Sequence, residues 1–237
     1  MIIQGDLHIH SYVSDGEASP EEIVKYSIKK GLNVISITDH NTFLGSLSAI
    51  PKTRSLKKLI VIPGAEIRTY WGDVLVLCQT PVKVSEDPLK LWEEAVKNHC
   101  LLIPAHPFDI LRLGIGIRSK YASLWDAYEV FNSSSDPLTN FVSFLYLRNL
   151  GKPLLSNSDA HTVEGIGSSR NIFEVDELSI EDILEAIRKN FVKPVPSYSI
   201  SSTISKLRWG IRIKPFSKSL RERYELYLRS GGLPPHL

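Results

Sequence analysis

Residues 33–40 read NVISITDH, a short, largely β-branched run that ends on Asp39 and His40. It is too short for a helix and offers no polar face, so it predicts a strand buried on both sides, as in a parallel sheet. The preceding segment, SPEEIVKYSIKKGL, predicts the helix that feeds it. Ser19 is the cap, Pro20 takes the first helical position, Glu22 completes a capping box, and Gly31 ends the helix. Ile23, Tyr26 and Ile28 are the expected apolar positions.

The same phrase recurs on either side. Residues 2–9 form a first strand, KKLIVIPGAE ends on Glu66 with DVLVLC close behind, CLLIPAHP ends on His106, and KPLLSNSDAH ends on Asp159 and His161. Helical stretches are expected from about Pro88 to Asn98, from Leu138 to Asn149 and from Ser179 to Lys189. Short apolar strands alternating with helices give an α/β fold with a parallel sheet, open or closed. Polar residues after five separate strands favour closure, because strand ends converge on one face of a barrel.

A chain of 237 residues with 43% hydrophobic composition buries a large core, which excludes disorder. No transmembrane run and no signal-peptide pattern occurs, so no membrane partner is expected. Cys78 and Cys100 stand 22 residues apart without a neighbouring cysteine, which excludes a disulfide scaffold and a CxxC site and predicts a cytoplasmic protein. The net charge of +2 conceals an asymmetry: residues 196–237 carry +6 and residues 1–195 carry −4. PVPSYSISST reads as a surface crossing between residues 1–195 and a basic extension, 196–237. That extension holds a strand-like WGIRIKPF and a helical SKSLRERYELYLRSG, whose Leu220, Tyr224, Tyr227 and Leu228 predict docking on the body.

His8 and His10, two apart on a strand, project to the same side and can share one metal. Asp15, His40, Glu66, His106, Asp159 and His161 occupy comparable positions relative to their own strands. Imidazoles and carboxylates without a thiolate suit Zn²⁺, Mn²⁺ or Fe²⁺. Eight ligands exceed the needs of one tetrahedral ion, so two or three divalent ions are expected, with Glu66 as the bridging carboxylate. Such a cluster supplies what phosphoester hydrolysis needs, a deprotonated water at neutral pH and positive charge over phosphoryl oxygens.

The motifs GDLHIHSYVSDG, SPEEIV, GLNVISITDHNT, IPGAEI, PAHP and SNSDAHT resemble, in content and order, those of the polymerase and histidinol phosphatase (PHP) superfamily. The resemblance implies a distorted seven-stranded (β/α)7 TIM-like barrel with a di- or trinuclear metal centre at the C-terminal strand ends. It assigns His8, His10, Glu66 and Asp159 to one metal, Glu66 and His106 to a second, and Asp15, His40 and His161 to a third. Asp73 stands where family members often have a histidine, and is expected as a substitute ligand or a supporting group. Asn132 stands where larger phosphatases have a metal-binding histidine.

Arg170, and Arg112 and Arg118 after PAHP, are candidate phosphate clamps. Asp39 is expected to orient its neighbours, His99 to be structural, and His236 to have no role. The expected activity is hydrolysis of a small phosphomonoester or nucleotide by a metal-bridging hydroxide. The alternatives are an exonuclease on short oligonucleotides, a non-catalytic RNA-binding or ribonucleoprotein subunit, and a sugar or amide hydrolase.

Overall fold

A computed structural model describes residues 1–53 and 58–200, with Thr203, Ile204 and Leu207. β1 (Ile2–Ile9) pairs in parallel with β2 (Val34–Ile37), which pairs in parallel with the short β3 (Ile60–Val61). On its other edge β1 meets β9 (Arg170–Glu174) antiparallel, and β9 meets β10 (Val192–Val195) antiparallel. β4 (Gly64–Thr69), β5 (Gly72–Leu77) and β6 (Leu101–Pro104) form an antiparallel second sheet, and β7 (Tyr128–Asn132) and β8 (Leu154–Asn157) a parallel pair.

The architecture is therefore mixed α/β, with antiparallel pairs β1–β9, β9–β10, β4–β5 and β5–β6 beside the expected parallel ones. Among the described residues the ladders form three sheets. Part of the reason is local. Only Tyr70 and Trp71 separate β4 from β5, and so short a connection forces an antiparallel hairpin. Isolated bridges between Ile9 and Ala160 and between His40 and Glu66 still tie the sheets together at their polar ends.

The helices follow their caps. α1 (Pro20–Lys29) opens with the expected capping box between Ser19 and Glu22. Its inward face is Pro20, Ile23, Val24 and Ser27; of the three expected apolar positions only Ile23 lies on it, and Tyr26 and Ile28 are exposed. The helical repeat explains this, since position 27 continues the face of 20, 23 and 24. α3 (Pro88–Lys97), α4 (Pro137–Leu147) and α5 (Ile180–Arg188) begin at Asp87, Asp136 and Ser179, whose side chains accept first-turn amides. α2 (Leu44–Thr53) was not foreseen, because Gly45 and Pro51 weaken its local signal.

The largest apolar cluster lies between β1, β5, β6, β8, β9 and α5 and includes Leu7, Leu75, Ile103, Leu155, Phe173 and Ile187. Trp125 is buried, and Trp71 packs edge-on against it. Cys78 and Cys100, expected to form neither a disulfide scaffold nor a CxxC site, are joined as a single disulfide beside the register pair Leu77 and Leu101. Adjacent antiparallel strands bring together two cysteines that sequence separation keeps apart. The inference of a reducing compartment from cysteine content loses its support.

No described helix is long and apolar enough to cross a membrane. The strand and helix expected within residues 209–231, together with Trp209 and His236, lie outside the described residues.

Candidate metal centre

The polar strand ends converge. β1 delivers His8 and, one residue beyond its end, His10, both on one side of the strand and both buried. Asp15 stands on the turn after β1, His40 follows β2, Glu66 lies within β4, His106 follows β6, and Asp159 and His161 follow β8. Three of these ends carry a non-glycine residue at positive φ: Asn41 at 57°, His106 at 30° and Asp159 at 50°. Backbone held in such sparsely populated conformations marks places where the surrounding structure fixes a side chain's direction.

Ligand atoms within 4.8 Å of one another define four overlapping groups. They are His8, His10 and Asp159; His10, Asp15, His40 and His161; His8, Glu66 and His106; and His40, Glu66 and Asp73. All eight expected ligands are thus in one cluster. Glu66 divides its oxygens: Oε1 lies 3.0 Å from His106 Nε2, while Oε2 lies 3.0 Å from His40 Nδ1 and 3.3 Å from His10 Nε2. Asp159 divides likewise. Its Oδ1 faces His10 Nε2 at 3.3 Å and His8 Nε2 at 3.6 Å, while Oδ2 accepts from Arg112 Nη1 and from Asn132 Nδ2.

This donor set fits a divalent cation. His8 Nδ1 is committed to Glu129 Oε1 at 3.0 Å, which fixes the ring and turns Nε2 inward. That nitrogen faces His10 Nε2 at 3.1 Å and oxygens of Glu66 and Asp159 at 3.6 Å each, an arrangement that suits a shared cation. His40 Nδ1 is buried without a hydrogen bond despite lying 3.0 Å from Glu66 Oε2. Ring and carboxylate therefore aim at a common point and not at each other.

The electrostatics agree. Burial alone would lower His8, but Glu129, Asp159 and Glu66 carry it well above its ordinary value. His40 rises in the same way, against burial, through Glu66 and Asp15. Burial would raise Glu66, yet His40 and His8 hold its carboxyl well below the usual range. His10 is pushed down to about 4 by burial and by His161. Asp15 and His40 form the open side, with side chains 31% and 25% exposed.

The remaining candidates divide. Asp73 is clamped through both oxygens by Arg68, at 3.2 Å each. Asn132 donates to Glu129 Oε2 and Asp159 Oδ2, and its own Oδ1 accepts from the Ser134 amide. Arg170 is not brought to the cluster: its Nε donates to Gln4 Oε1. Arg118 is exposed on the loop that carries Arg112. Asp39 accepts from the Ser11 amide and from the hydroxyls of Ser11 and Ser14, so it fixes the turn that bears Asp15. The His99 carbonyl accepts from Arg188 Nη2.

Sequence reasoning missed Glu129 and Asp6. Glu129 accepts from His8, His106, Asn132 and Asn157, and Asp6 accepts from the Ser158 amide and hydroxyl and the Gly167 amide. An acidic residue inside a strand buried on both faces was the available signal, for Asp6 in GDLHIH and Glu129 in YEVFN.

Comparison with known proteins agrees with this geometry. The PHP domain model matches residues 6–143, more than half of the chain, and the PHP-associated model matches residues 137–192. The chain belongs to the PHP family. An uncharacterized protein of Methanocaldococcus jannaschii is 28% identical over 225 residues, covering 87% of each chain. A 5'-3' exoribonuclease of Haemophilus influenzae is 39% identical over 66 residues, which are 28% of this chain and 24% of that one. Among solved structures, a two-domain Bacteroides vulgatus protein containing a predicted PHP-like metal-dependent phosphoesterase superposes with a TM-score of 0.71 at 18% identity. That match covers 83% of this chain and 65% of that one.

Proposed function

We propose that the chain is a metal-dependent phosphoesterase that hydrolyses a small phosphomonoester or nucleotide. The observation that carries this reading is the convergence of His8, His10, Asp15, His40, Glu66, Asp159 and His161 on one buried cluster with an open side. Family membership supports it, as does the likeness in fold to the B. vulgatus protein. The strand order, with bridges at the polar ends, fits a distorted (β/α)7 barrel.

In this reading His8, His10, Asp159 and Glu66 hold one ion, and Asp15, His40 and His161 hold another. Divalent ions such as Mn²⁺, Zn²⁺ or Fe²⁺ supply an activated water and positive charge over the phosphoryl oxygens. The chain's own residues do the positioning. Glu129 fixes the ring and tautomer of His8, and Asp39 fixes the turn that presents Asp15. Glu66 faces both ligand groups through Oε2, with His10 Nε2 at 3.3 Å and His40 Nδ1 at 3.0 Å, and turns Oε1 to His106, while Asp159 reserves Oδ1 for the cluster.

A second reading, exonuclease action on short oligonucleotides, is favoured by the match to the H. influenzae exoribonuclease, which spans 28% of this chain and 24% of that one. Both readings are tested by incubating the Mn²⁺-loaded chain with p-nitrophenyl phosphate, nucleoside monophosphates and 5'-phosphorylated oligonucleotides. Phosphate release from the small esters supports the first reading and stepwise mononucleotide release supports the second. Absence of hydrolysis in all three, with metal bound, would refute both.

A further inference from the structure

Counting donor atoms limits what the cluster holds. His8 offers a single nitrogen, because Nδ1 is occupied by Glu129. If that nitrogen serves the group of His10 and Asp159, and Asp15, His40 and His161 serve another, only His106 Nε2 and Glu66 Oε1 remain, 3.0 Å apart. Asp73 does not supplement them: it groups with His40 and Glu66 and not with His106, and Arg68 draws on both of its oxygens. Asn132 does not either: its Oδ1 accepts from the Ser134 amide, and its Nδ2 points at carboxylates as a donor. Two protein donors fall short of the three that a catalytic metal site ordinarily has.

At the Asn132 edge of the cluster, where Asn132 Nδ2 meets Asp159 Oδ2, stands a fixed cation. Arg112 reaches Asp159 Oδ2 through Nη1, and its Nε lies 3.7 Å from Asp109 Oδ2. Asp109 is itself held: its Oδ2 accepts from Ser135 Oγ at 2.7 Å, and its carbonyl accepts from the amides of Arg112 and Gly114. The guanidinium is thus anchored from two sides and remains 23% exposed, with no partner at Nη2 among the described residues. A planar guanidinium with an open N–H edge suits a phosphoryl group.

We propose that Arg112 takes the place of a further metal ion: the centre holds two ions, and the Arg112 guanidinium supplies the remaining positive charge and receives a phosphoryl oxygen of the substrate. This rests on the phosphoesterase reading for its substrate class, but its metal count does not.

The full chain, stripped with chelator, reloaded with Mn²⁺ and desalted, should contain two equivalents by elemental analysis. The double variant Arg112→Ala with Asn132→His, which removes the guanidinium and adds a third donor beside His106, should contain three. Three equivalents in the unaltered chain, or no gain in a folded double variant, would overturn the substitution. Inorganic phosphate binding to the Mn²⁺-loaded chain should weaken about tenfold in Arg112→Ala and less in Arg112→Lys, with the metal count unchanged. Equal phosphate affinity in all three would overturn the phosphoryl role. A chain with two ions and Arg112-dependent phosphate binding that turns over no phosphoester would refute the proposed activity and leave this inference standing.

Discussion

Glu129 shows how a residue outside the expected ligand set governs the centre. Its Oε1 accepts from His8 Nδ1 at 3.0 Å and Asn157 Nδ2 at 2.9 Å, and its Oε2 from the His106 amide at 2.7 Å and Asn132 Nδ2 at 3.0 Å. Four donors meet two fully buried oxygens, so only an ionised carboxylate satisfies them. Glutamine would turn an NH₂ toward two donors and leave them unpaired, at a cost of about 1–3 kcal/mol each. Glu129→Gln should therefore lose stability in denaturant titration and bind Mn²⁺ about 10- to 100-fold more weakly by calorimetry, because His8 loses its orienting partner. Unchanged Mn²⁺ affinity in a folded variant would show that His8 is held by packing alone. Most residues of the cluster were legible in the sequence because they stand at or just past a strand end, although Glu66 lies within β4. Glu129 was not, because nothing in YEVFN reveals which four groups surround a buried carboxylate.

At the level of elements, the sequence disclosed what is local and concealed what is not. α1 was readable from Ser19, Pro20 and Glu22, whose contacts lie within one turn. The antiparallel direction of β5 and of β9, and the separation into three sheets, depend on partners that an apolar run does not name. α2 was hidden for a functional reason. A Cβ at Gly45 would fall on the Asp39 carboxylate, so this helix needs its poor helix former to approach the turn that Asp39 fixes. Gly45→Ala gains helix propensity of about 1 kcal/mol yet should lower net stability by about 1–3 kcal/mol through the clash. Displacing Asp39 should also release Ser11 and Ser14 and weaken Mn²⁺ binding at the group containing Asp15. A Gly45→Ala chain that is more stable and binds Mn²⁺ normally would show that Asp39 has room to move.

For the whole molecule, the cluster is both the site and a knot that ties β1, β2, β4, β6 and β8 at one end, while the Cys78–Cys100 disulfide links β5 to β6. Holding the knot depends on pH in a direction the charges fix. His8, His40, His106 and His161 are all raised above their ordinary 6.5: burial lowers each, but the carboxylates beside them, chiefly Glu129 for His8, Glu66 for His40 and His106, and Asp15 for His161, overcome it. Their folded-state stabilisation is complete below the unfolded value of 6.5 and is lost as pH rises through the raised folded values. Glu66, Asp159 and Asp15, held well below the usual carboxylate range, contribute across this whole window and lose their effect only in strong acid. His10, held at about 4, is already neutral there. The metal-free protein should therefore lose stability as pH rises above about 6.5, while a divalent ion, which must displace those protons, should bind more tightly. The rise in Tm produced by Mn²⁺ over a chelator-treated sample, measured by calorimetry, should be larger at a pH of about 8.5 than at about 6. A gain that is flat or shrinks with pH would mean that the buried imidazoles carry no protons for the metal to displace.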